Sequence, residues 1–391
     1  MLTSVATRHS SCKHGYVLAA PEVLFDMNKQ TIFKGINHLE EAVAGSKKVL
    51  LVCDSSFQFL NIKDTIENLS VPYVKFDEFT PNPLYEDVCK GVDLFNITKC
   101  DTILAVGGGS SMDVAKCIKL YCKMPKDKLY LEQPYEDTGV KLIAIPTTAG
   151  TGSESTRYAV IYYDGKKQSV THDSIIPDVA ILEPKVLKTL PLYQKKCTMM
   201  DALCQGIESW WSVNSTNESK EYSKIAVETI MKWWREYIFE NTDESAEHIM
   251  EAANYAGRAI CITQTTAPHA FSYKITSLYG LPHGHAVAVC LPVIWQHMID
   301  NLTNVIDNRG KSYLEMTFCD IAGALGFGVV RDAIAHIWQI MNDMELRRPS
   351  SNKKDEDLSV LVESVNPVRL KNNPVYLSDK SILTLYNLII Q

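Results

Sequence analysis

Residues 101–120 read DTILAVGGGSSMDVAKCIKL and predict a buried strand that runs through three glycines into a helix. The apolar run ending at Val106 is typical of a parallel strand, and the apolar residues after Ser111 recur at near-helical spacing. Glycines let the backbone approach a ligand, and the free N–H groups at a helix start attract an anion. This segment favours a phosphate-binding turn, although a tight strand-to-helix turn without a ligand would look the same. Ser110 and Asp113 have the spacing of a capping box, which would fix the helix start.

The first half of the chain repeats this alternation of strands and loops. Apolar runs at residues 47–54, 71–76 and 141–146 predict three more strands, and the last runs into a second glycine-containing loop, TTAGTGS, at 147–153. Strands that alternate with helices imply a parallel sheet covered on both faces, and such a sheet binds nucleotides at the carboxyl ends of neighbouring strands. We therefore predict a Rossmann-like dinucleotide-binding α/β domain. Asp54 could bind a ribose diol and favours NAD over NADP, but a loop acid or helix cap explains it equally well.

The second half of the chain reads as helical. Long helices are predicted at residues 194–211, 218–237, 245–259, 284–299 and 378–390, with few strand-like runs between them. We therefore predict two domains, an α/β domain over residues 1–190 and an all-α domain over residues 191–391.

Composition narrows the class of protein. The 391 residues carry a net charge of -7, which argues against a general nucleic-acid or anionic-membrane partner. Eleven cysteines without C-x-x-C spacing indicate reduced thiols. The start of the chain lacks the pattern of a secretory signal, and no apolar run is long enough to span a bilayer. We expect a cytoplasmic enzyme or binding protein.

The histidines in TAPHAFSYKITSLYGLPHGHAVAV, residues 266–289, are candidate metal ligands. His269 and His283 each follow a proline, and imidazole is the commonest protein ligand for transition metals. Asp201 lies in an apolar stretch, where a buried carboxylate needs a metal or a hydrogen-bond network, and Gln205 follows it on the same helix face. Structural histidines that bond a carbonyl, and a capping aspartate, are the alternatives.

Four motifs resemble the iron-containing (group III) alcohol dehydrogenases. They are VGGGSSMDVAK at 106–116, PTTAGTGSE at 146–154, DAL at 201–203 and GLPHG at 280–284, in the family's order and spacing. The resemblance implies a dehydroquinate synthase-like fold, in which the active site lies in the cleft between an α/β domain and an all-α domain. It also implies NAD(H) as cofactor, with NADP(H) as an alternative, a bound Fe²⁺ or Zn²⁺, and a homodimer.

Carried over by motif, the resemblance assigns roles to individual residues. The implied cofactor-binding residues are Asp54, Asn82, Gly108, Gly109, Ser110, Asp113, Thr147, Thr148, Thr151 and Lys167. The implied metal-binding residues are Asp201, Gln205, His269 and His283.

Two positions depart from the family pattern, since Gln205 and Tyr273 stand where many members carry histidine. The amide oxygen of glutamine is a weaker ligand than imidazole. Proton relay by a histidine at position 273 is also lost, so we expect Tyr273, His285 or water to deliver the proton. Lys167 is expected on the nicotinamide side and counts as a catalytic candidate.

Within that family, four segments look like the phosphonoacetaldehyde reductase (hydroxyethylphosphonate dehydrogenase) subgroup. They are DALCQ at 201–205, ESWWSVNS at 208–215, TAPHAFSY at 266–273 and RLKNNP at 369–374. This resemblance implies reduction of phosphonoacetaldehyde to 2-hydroxyethylphosphonate, and Arg157, Arg258 and Lys274 are candidates to bind the phosphonate dianion. The alternatives are a general alcohol or diol dehydrogenase of the lactaldehyde or glycerol type, a non-redox dehydroquinate synthase-like lyase, and a silent nucleotide-binding protein.

Overall fold

The computed structural model describes residues 30–365 and 367–391. The first 29 residues of the predicted α/β domain lie outside this range. So do Asn366 and the side chains of Val368 and Arg369, the last of which belongs to the RLKNNP segment. Among the described residues, no helix combines the length and the apolarity that a membrane span requires.

A six-stranded sheet forms the centre of the first half. Its strands are β1 (Thr31–Lys34), β2 (Val49–Cys53), β3 (Tyr73–Phe76), β4 (Thr102–Gly107), β5 (Lys141–Pro146) and β8 (Val179–Leu182). Their order across the sheet is β1-β8-β5-β4-β2-β3, and the pairings between them are parallel. Because β2 and β4 are buried along their whole length, they appear in the sequence as continuous apolar runs. The predicted parallel α/β sheet is confirmed, and the sequence missed only its two short strands β1 and β8.

Four helices of the first half accompany this sheet, and one hairpin lies outside it. The helices are α1 (Leu39–Val43), α2 (Lys63–Glu67), α3 (Tyr85–Thr98) and α4 (Gly109–Tyr121). An antiparallel hairpin of β6 (Tyr158–Tyr163) and β7 (Lys166–Thr171) stands apart from the main sheet, and the sequence reading did not predict it.

The second half is helical, as predicted. Its helices are α5 (Leu192–Trp211), α6 (Asn217–Arg235), α7 (Asp243–Thr263), α8 (Ala267–Tyr279), α9 (His283–Asp300), α10 (Lys311–Ala324), α11 (Val330–Asp343), α12 (Lys354–Ser364), α13 (Pro367–Leu370) and α14 (Asp379–Ile389). Strand β8 ends at Leu182 and α5 begins at Leu192, so we keep a domain division near residue 190 as a proposal.

Glycines bring the loop after β5 against the helical half. A methyl group on Gly152 would lie 2.3 Å from the Cα atom of Gly257 in α7, and one on Gly150 would lie 2.7 Å from Cβ of Thr198 in α5. Gly152 also has a φ of +58°, which other residues adopt only at a cost. The carboxyl edge of the sheet is therefore held directly against α5 and α7.

Candidate active site

Asp201, His269 and His283 converge at the surface where the two halves meet. Their ligand atoms lie within 4.8 Å of one another. Oδ1 of Asp201 is 3.3 Å from Nε2 of His269 and 4.0 Å from Nε2 of His283. Asp201 and His269 are buried, whereas the side chain of His283 is 38% exposed, so water can reach the cluster from that side.

The local sequence explains why these side chains meet. Helix α8 begins at Ala267, and Pro268 and His269 lie in its first turn. Pro282 precedes His283, which is the first residue of α9. Gly284 allows α9 to approach α5, because a methyl group there would lie 2.0 Å from the carbonyl oxygen of Cys197 and 2.8 Å from Cβ of Asp201. The two helix starts therefore carry both histidines to the same turn of α5.

The buried oxygen atoms at this cluster fit a metal ion. Oδ1 of Asp201 and Oε1 of Gln205 are buried, and neither has a hydrogen-bond partner of good geometry among the described residues. An unsatisfied buried oxygen costs about 1–3 kcal/mol, which a bound cation would offset. One carboxylate, one amide oxygen and two imidazoles are suitable donors for Fe²⁺ or Zn²⁺. The residues present are therefore suited to the metal that the resemblance implies.

Glu208 completes the cluster, and the sequence reading gave it no role. Its Oε1 accepts a hydrogen bond from Nδ1 of His269, and its Oε2 accepts from the backbone N–H and the hydroxyl of Thr266 at 2.8 and 2.9 Å. Burial would lower the pKa of His269, but the charges of Glu208 and Asp201 raise it to about 10. The sequence did contain a signal for this role, because Glu208 follows Asp201 by seven residues and therefore lies on the same face of α5.

Burial would raise the pKa of Asp201, yet its contacts with His269, His283 and Gln205 outweigh burial and hold it below the ordinary value. The carboxylate is therefore ionised at neutral pH, as a metal ligand must be.

Tyr273 and Lys167 extend the cluster toward the hairpin. The ring of Tyr273 lies parallel to the imidazole of His283, with centroids 5.6 Å apart. Nζ of Lys167, on β7, lies 3.2 Å from the centroid of the Tyr273 ring. The hairpin thus places the ammonium group of Lys167 against the same aromatic ring that stacks on His283.

The glycine turn after β4 has the predicted strand–turn–helix form. Gly108 precedes α4, and Asn82, with a φ of +58°, donates its backbone N–H to Oγ of Ser110 at 3.4 Å. Asp54 accepts from the backbone N–H of Ser56 at 2.7 Å and from Oγ of Ser111 at 3.2 Å. These residues lie at the carboxyl ends of β2, β3 and β4, the edge at which open α/β sheets bind ligands.

The predicted capping box is wrong. Helix α4 has Gly108 at its N-cap, and no side chain caps it. Asp113 instead accepts a hydrogen bond from Oγ of Ser153 at 3.3 Å, and burial raises its pKa to about 6. Asp113 therefore supports the loop after β5, and its predicted contact with a cofactor stays a prediction.

The loop after β5 closes the other side of the turn. The backbone N–H of Thr147 donates to the carbonyl of Gly107 at 3.0 Å. Thr148 and Thr151 face Gly108 and Gly109, respectively, because methyl groups on these glycines would lie 3.6 and 3.2 Å from the threonine side chains. The two glycine-containing loops therefore lie against each other at the carboxyl ends of β4 and β5.

His285 lies away from the cluster, although the sequence made it a candidate proton relay. Its Nδ1 bonds the hydroxyl of Tyr193 at 2.9 Å, and its Nε2 bonds the carbonyl of Arg347 at 2.9 Å. It lines a separate pocket with these residues. Two positions along a helix differ by about 200°, so His283 and His285 necessarily face different sides of α9.

Of the arginines predicted to bind phosphonate, Arg157 is engaged elsewhere, whereas Nε of Arg258 is buried without a hydrogen-bond partner among the described residues. Arg157 donates from Nε and Nη2 to the carbonyl of Cys261 at 3.1 and 3.0 Å, and from Nη1 to Asp173 at 2.9 Å. The guanidinium group of Arg258 packs over the rings of Tyr222 and Tyr255. Lys274 is half-buried on α8. The sequence could not reveal the contacts with Cys261, Asp173 and Tyr222, because these residues lie on elements other than that of the arginine that each contacts.

Two family models match most of this chain. Residues 29–184 match the family model of the iron-containing alcohol dehydrogenases, and residues 196–390 match the model of the C-terminal part of the Fe-containing alcohol dehydrogenase family. Phosphonoacetaldehyde reductase from Streptomyces viridochromogenes is 31% identical over 299 residues, which cover 73% of this chain and 75% of that protein.

Solved structures have the same fold. Sulfoacetaldehyde reductase from Bifidobacterium kashiwanohense, in complex with NAD+, aligns with a TM-score of 0.80 at 26% identity, over 92% of this chain and 97% of that one. An iron-containing alcohol dehydrogenase from Thermococcus thioreducens aligns with a TM-score of 0.84 at 23% identity, over 92% and 98% of the two chains.

Proposed function

Because the chain belongs to the iron-containing alcohol dehydrogenase family, we propose that it reduces phosphonoacetaldehyde to 2-hydroxyethylphosphonate with NADH and a bound metal ion. The observation that carries this proposal is the cluster of Asp201, His269 and His283 on helices that pack against the two glycine-containing loops. Hydride transfer to a carbonyl group can take place where a metal site lies next to a dinucleotide-binding site.

In this proposal the first half binds NADH. Gly108, Gly109 and Ser110 receive the pyrophosphate at the start of α4, whose N–H groups favour an anion. Asp54 receives the adenosine ribose, and the loop of Thr147 and Thr148 lies along the cofactor. NAD is preferred over NADP because the carboxylate of Asp54 would repel a 2′-phosphate.

In the second half, Asp201, His269 and His283 would hold Fe²⁺ or Zn²⁺, with Gln205 as a further oxygen donor. When bound, such an ion acts as a Lewis acid that polarises a carbonyl group. Glu208 fixes the tautomer and orientation of His269, so that Nε2 faces Asp201.

The reaction balances with one hydride and one proton. Hydride leaves the nicotinamide of NADH and forms a C–H bond at the aldehyde carbon, which gives NAD⁺. The carbonyl oxygen takes a proton from water, which can reach the cluster past the partly exposed His283. His285 is not used in this scheme, because both of its ring nitrogens are engaged in the separate pocket.

Two named relatives support an anionic aldehyde as substrate. One is called a phosphonoacetaldehyde reductase and the other a sulfoacetaldehyde reductase, so both names specify a two-carbon aldehyde with an acidic group. We further propose that the protein is cytoplasmic and a homodimer.

A steady-state assay with a panel of aldehydes tests the proposal. The panel contains phosphonoacetaldehyde, propanal and lactaldehyde, each with NADH and with NADPH, on enzyme loaded with Fe²⁺ or Zn²⁺. We expect the highest kcat/KM for phosphonoacetaldehyde with NADH. A higher kcat/KM for propanal or lactaldehyde would refute the substrate and favour a general alcohol or diol dehydrogenase.

A further inference from the structure

The hairpin of β6 and β7 lies outside the main sheet, so contacts with other elements must fix its position. A two-stranded hairpin on its own is only marginally stable in water. Strand β7 carries Lys167, whose Nζ lies over the ring of Tyr273. The contacts that hold β6 therefore decide where the ammonium group of Lys167 lies.

Lys116 on α4 supplies three of these contacts. Its Nζ donates to Oγ of Ser153 at 3.0 Å, to Oγ1 of Thr156 at 3.0 Å and to the carbonyl oxygen of Tyr158 at 2.8 Å. Tyr158 is the first residue of β6, and the other two acceptors lie in the segment that leads into this strand. An ammonium group has three hydrogens and no lone pair, so Lys116 uses all of its donors on residues 153–158.

The burial of Lys116 makes these contacts costly to lose. Its side chain is fully buried, and burial lowers its pKa to about 8, although the charge of Asp113 opposes this effect. Asp113 lies about one turn earlier on α4 and accepts from Oγ of Ser153 at 3.3 Å. Burial raises the pKa of Asp113 to about 6, against the charge of Lys116 and the hydrogen bond from the backbone N–H of Val160. Removal of the ammonium group would leave buried acceptors without a donor, which is unfavourable.

Helix α7 of the second half holds the same segment. The hydroxyl group of Tyr158 donates to the carbonyl of Cys261 at 3.1 Å, and Nδ2 of Asn254 donates to Oε1 of Glu154 at 2.9 Å. Residues 153–158 therefore connect α4 with α7. Because α4 begins at the glycine turn after β4, the helix whose start would bind the pyrophosphate also fixes the start of the hairpin.

We propose that Lys116 is a positioning residue, which fixes the start of β6 and thereby places Lys167 beside the nicotinamide end of the bound cofactor. The inference rests on the proposed NADH-dependent function and extends it. Lys116 acts through the hairpin, because its three hydrogens are all directed to residues 153–158. One helix would thus set the position of both ends of the dinucleotide.

Hydrogen exchange in the intact enzyme tests the contact with the hairpin. K116M should speed the exchange of backbone amides in residues 158–171 by about 10-fold or more, because hydrogen bonds from a charged donor are lost. K119M is the matched control, since Lys119 is a buried lysine of the same helix whose Nζ bonds Asp178 at 3.0 Å. It should leave exchange in the hairpin unchanged. Equal acceleration by K116M and K119M would overturn the inference.

A milder substitution covers the case in which K116M does not fold. T156V removes one acceptor of Lys116 and should speed exchange in residues 158–171 by about threefold or more. In the K116M background T156V should add little, because the contact is already absent. No acceleration in T156V, or fully additive effects in the double variant, would contradict the role of Lys116.

Nucleotide binding separates an effect on the hairpin from a general effect on the cofactor site. ADP-ribose carries the pyrophosphate but lacks the nicotinamide ring. We expect K116M to raise the Kd of NADH by about 10-fold and the Kd of ADP-ribose by less than about threefold. Equal weakening of both would show that Lys116 acts on the glycine turn and would refute the inference. If the wild type binds neither nucleotide, the proposed function fails, whereas hydrogen exchange still decides whether Lys116 fixes the hairpin.

Discussion

Glu208 accepts a hydrogen bond from Nδ1 of His269, and both side chains are buried among the helices of the second half. The same carboxylate accepts two hydrogen bonds from Thr266, so its position is fixed by the helix start that carries His269. A carboxylate behind a metal-binding histidine sets its tautomer and raises its basicity. Glu208 therefore holds the imidazole of His269 through Nδ1, on the side of the ring that faces away from Asp201.

Replacement of Glu208 by glutamine should weaken metal binding. The amide would present N–H donors to groups that already donate, and the negative charge behind His269 would be lost. We expect E208Q to lower metal affinity by about 10- to 100-fold, with activity partly recovered at excess metal. Metal titration followed by activity measures this, and E221Q, on the exposed face of α6, is the control. Equal affinity in E208Q and the wild type would contradict the role of Glu208.

The close approach of α9 to α5 predicts a large effect at Gly284. A methyl group there would lie 2.0 Å from the carbonyl oxygen of Cys197, and the helices must separate to accept it. We expect G284A to destabilise the protein by about 1–3 kcal/mol and to lower metal content, because His283 moves with the helix. G323A on α10 is the matched control, since nothing lies within 4 Å of the added methyl group. Similar melting temperatures for G284A and G323A would show that stability does not depend on the close approach of α9 to α5.

The placement of His285 predicts a mild phenotype. If its bonds to Tyr193 and Arg347 are its whole role, H285Q should keep kcat within about threefold of the wild type, since an amide can replace both hydrogen bonds. Proton relay by this residue would require a loss of about 100-fold or more. Measurement of kcat with phosphonoacetaldehyde and with propanal decides between the two roles.

The sequence located the sheet and both glycine-containing loops, because buried parallel strands and glycine turns leave continuous local patterns. It also led to Asp201, His269 and His283, through motifs whose spacing resembles a known family. It could not locate the contact between Lys167 and Tyr273, since this contact depends on a hairpin whose strands leave weak periodicity. It misjudged Arg157 for a related reason, because the carbonyl of Cys261 becomes its partner only when α7 ends beside β6. Sequence patterns alone therefore did not predict the contacts between elements that are far apart in the chain.

The buried Asp113 predicts a pH dependence of stability. Burial raises its pKa to about 6, above the value of about 4 for an unfolded chain. The folded state therefore retains the proton over this interval, and the stability contributed by Asp113 falls as the pH rises from about 4 to about 6. D113N removes the charge, so its melting temperature relative to the wild type should rise between pH 5 and pH 7, equivalent to about 1–2 kcal/mol. D127N, at an exposed position, should show no such trend. A constant difference for D113N would refute this account.

Gln205 offers a gain-of-function test of the metal site. Its Oε1 is buried without a hydrogen-bond partner among the described residues, and its Nε2 lies 3.5 Å from the carbonyl of Thr151, a marginal hydrogen bond. Little is therefore lost when the amide is replaced, and an imidazole at this turn of α5 would add a third nitrogen donor beside Asp201. We expect Q205H to raise metal affinity on the order of 10-fold, whereas Q205A should lower it, because imidazole is the stronger ligand for Fe²⁺ and Zn²⁺. Metal content after dialysis against a chelator ranks the three proteins, and the KM for NADH reports any movement of the Thr151 loop. If Q205H retains no more metal than the wild type, position 205 does not face the ion, and the buried oxygen of Gln205 needs another explanation.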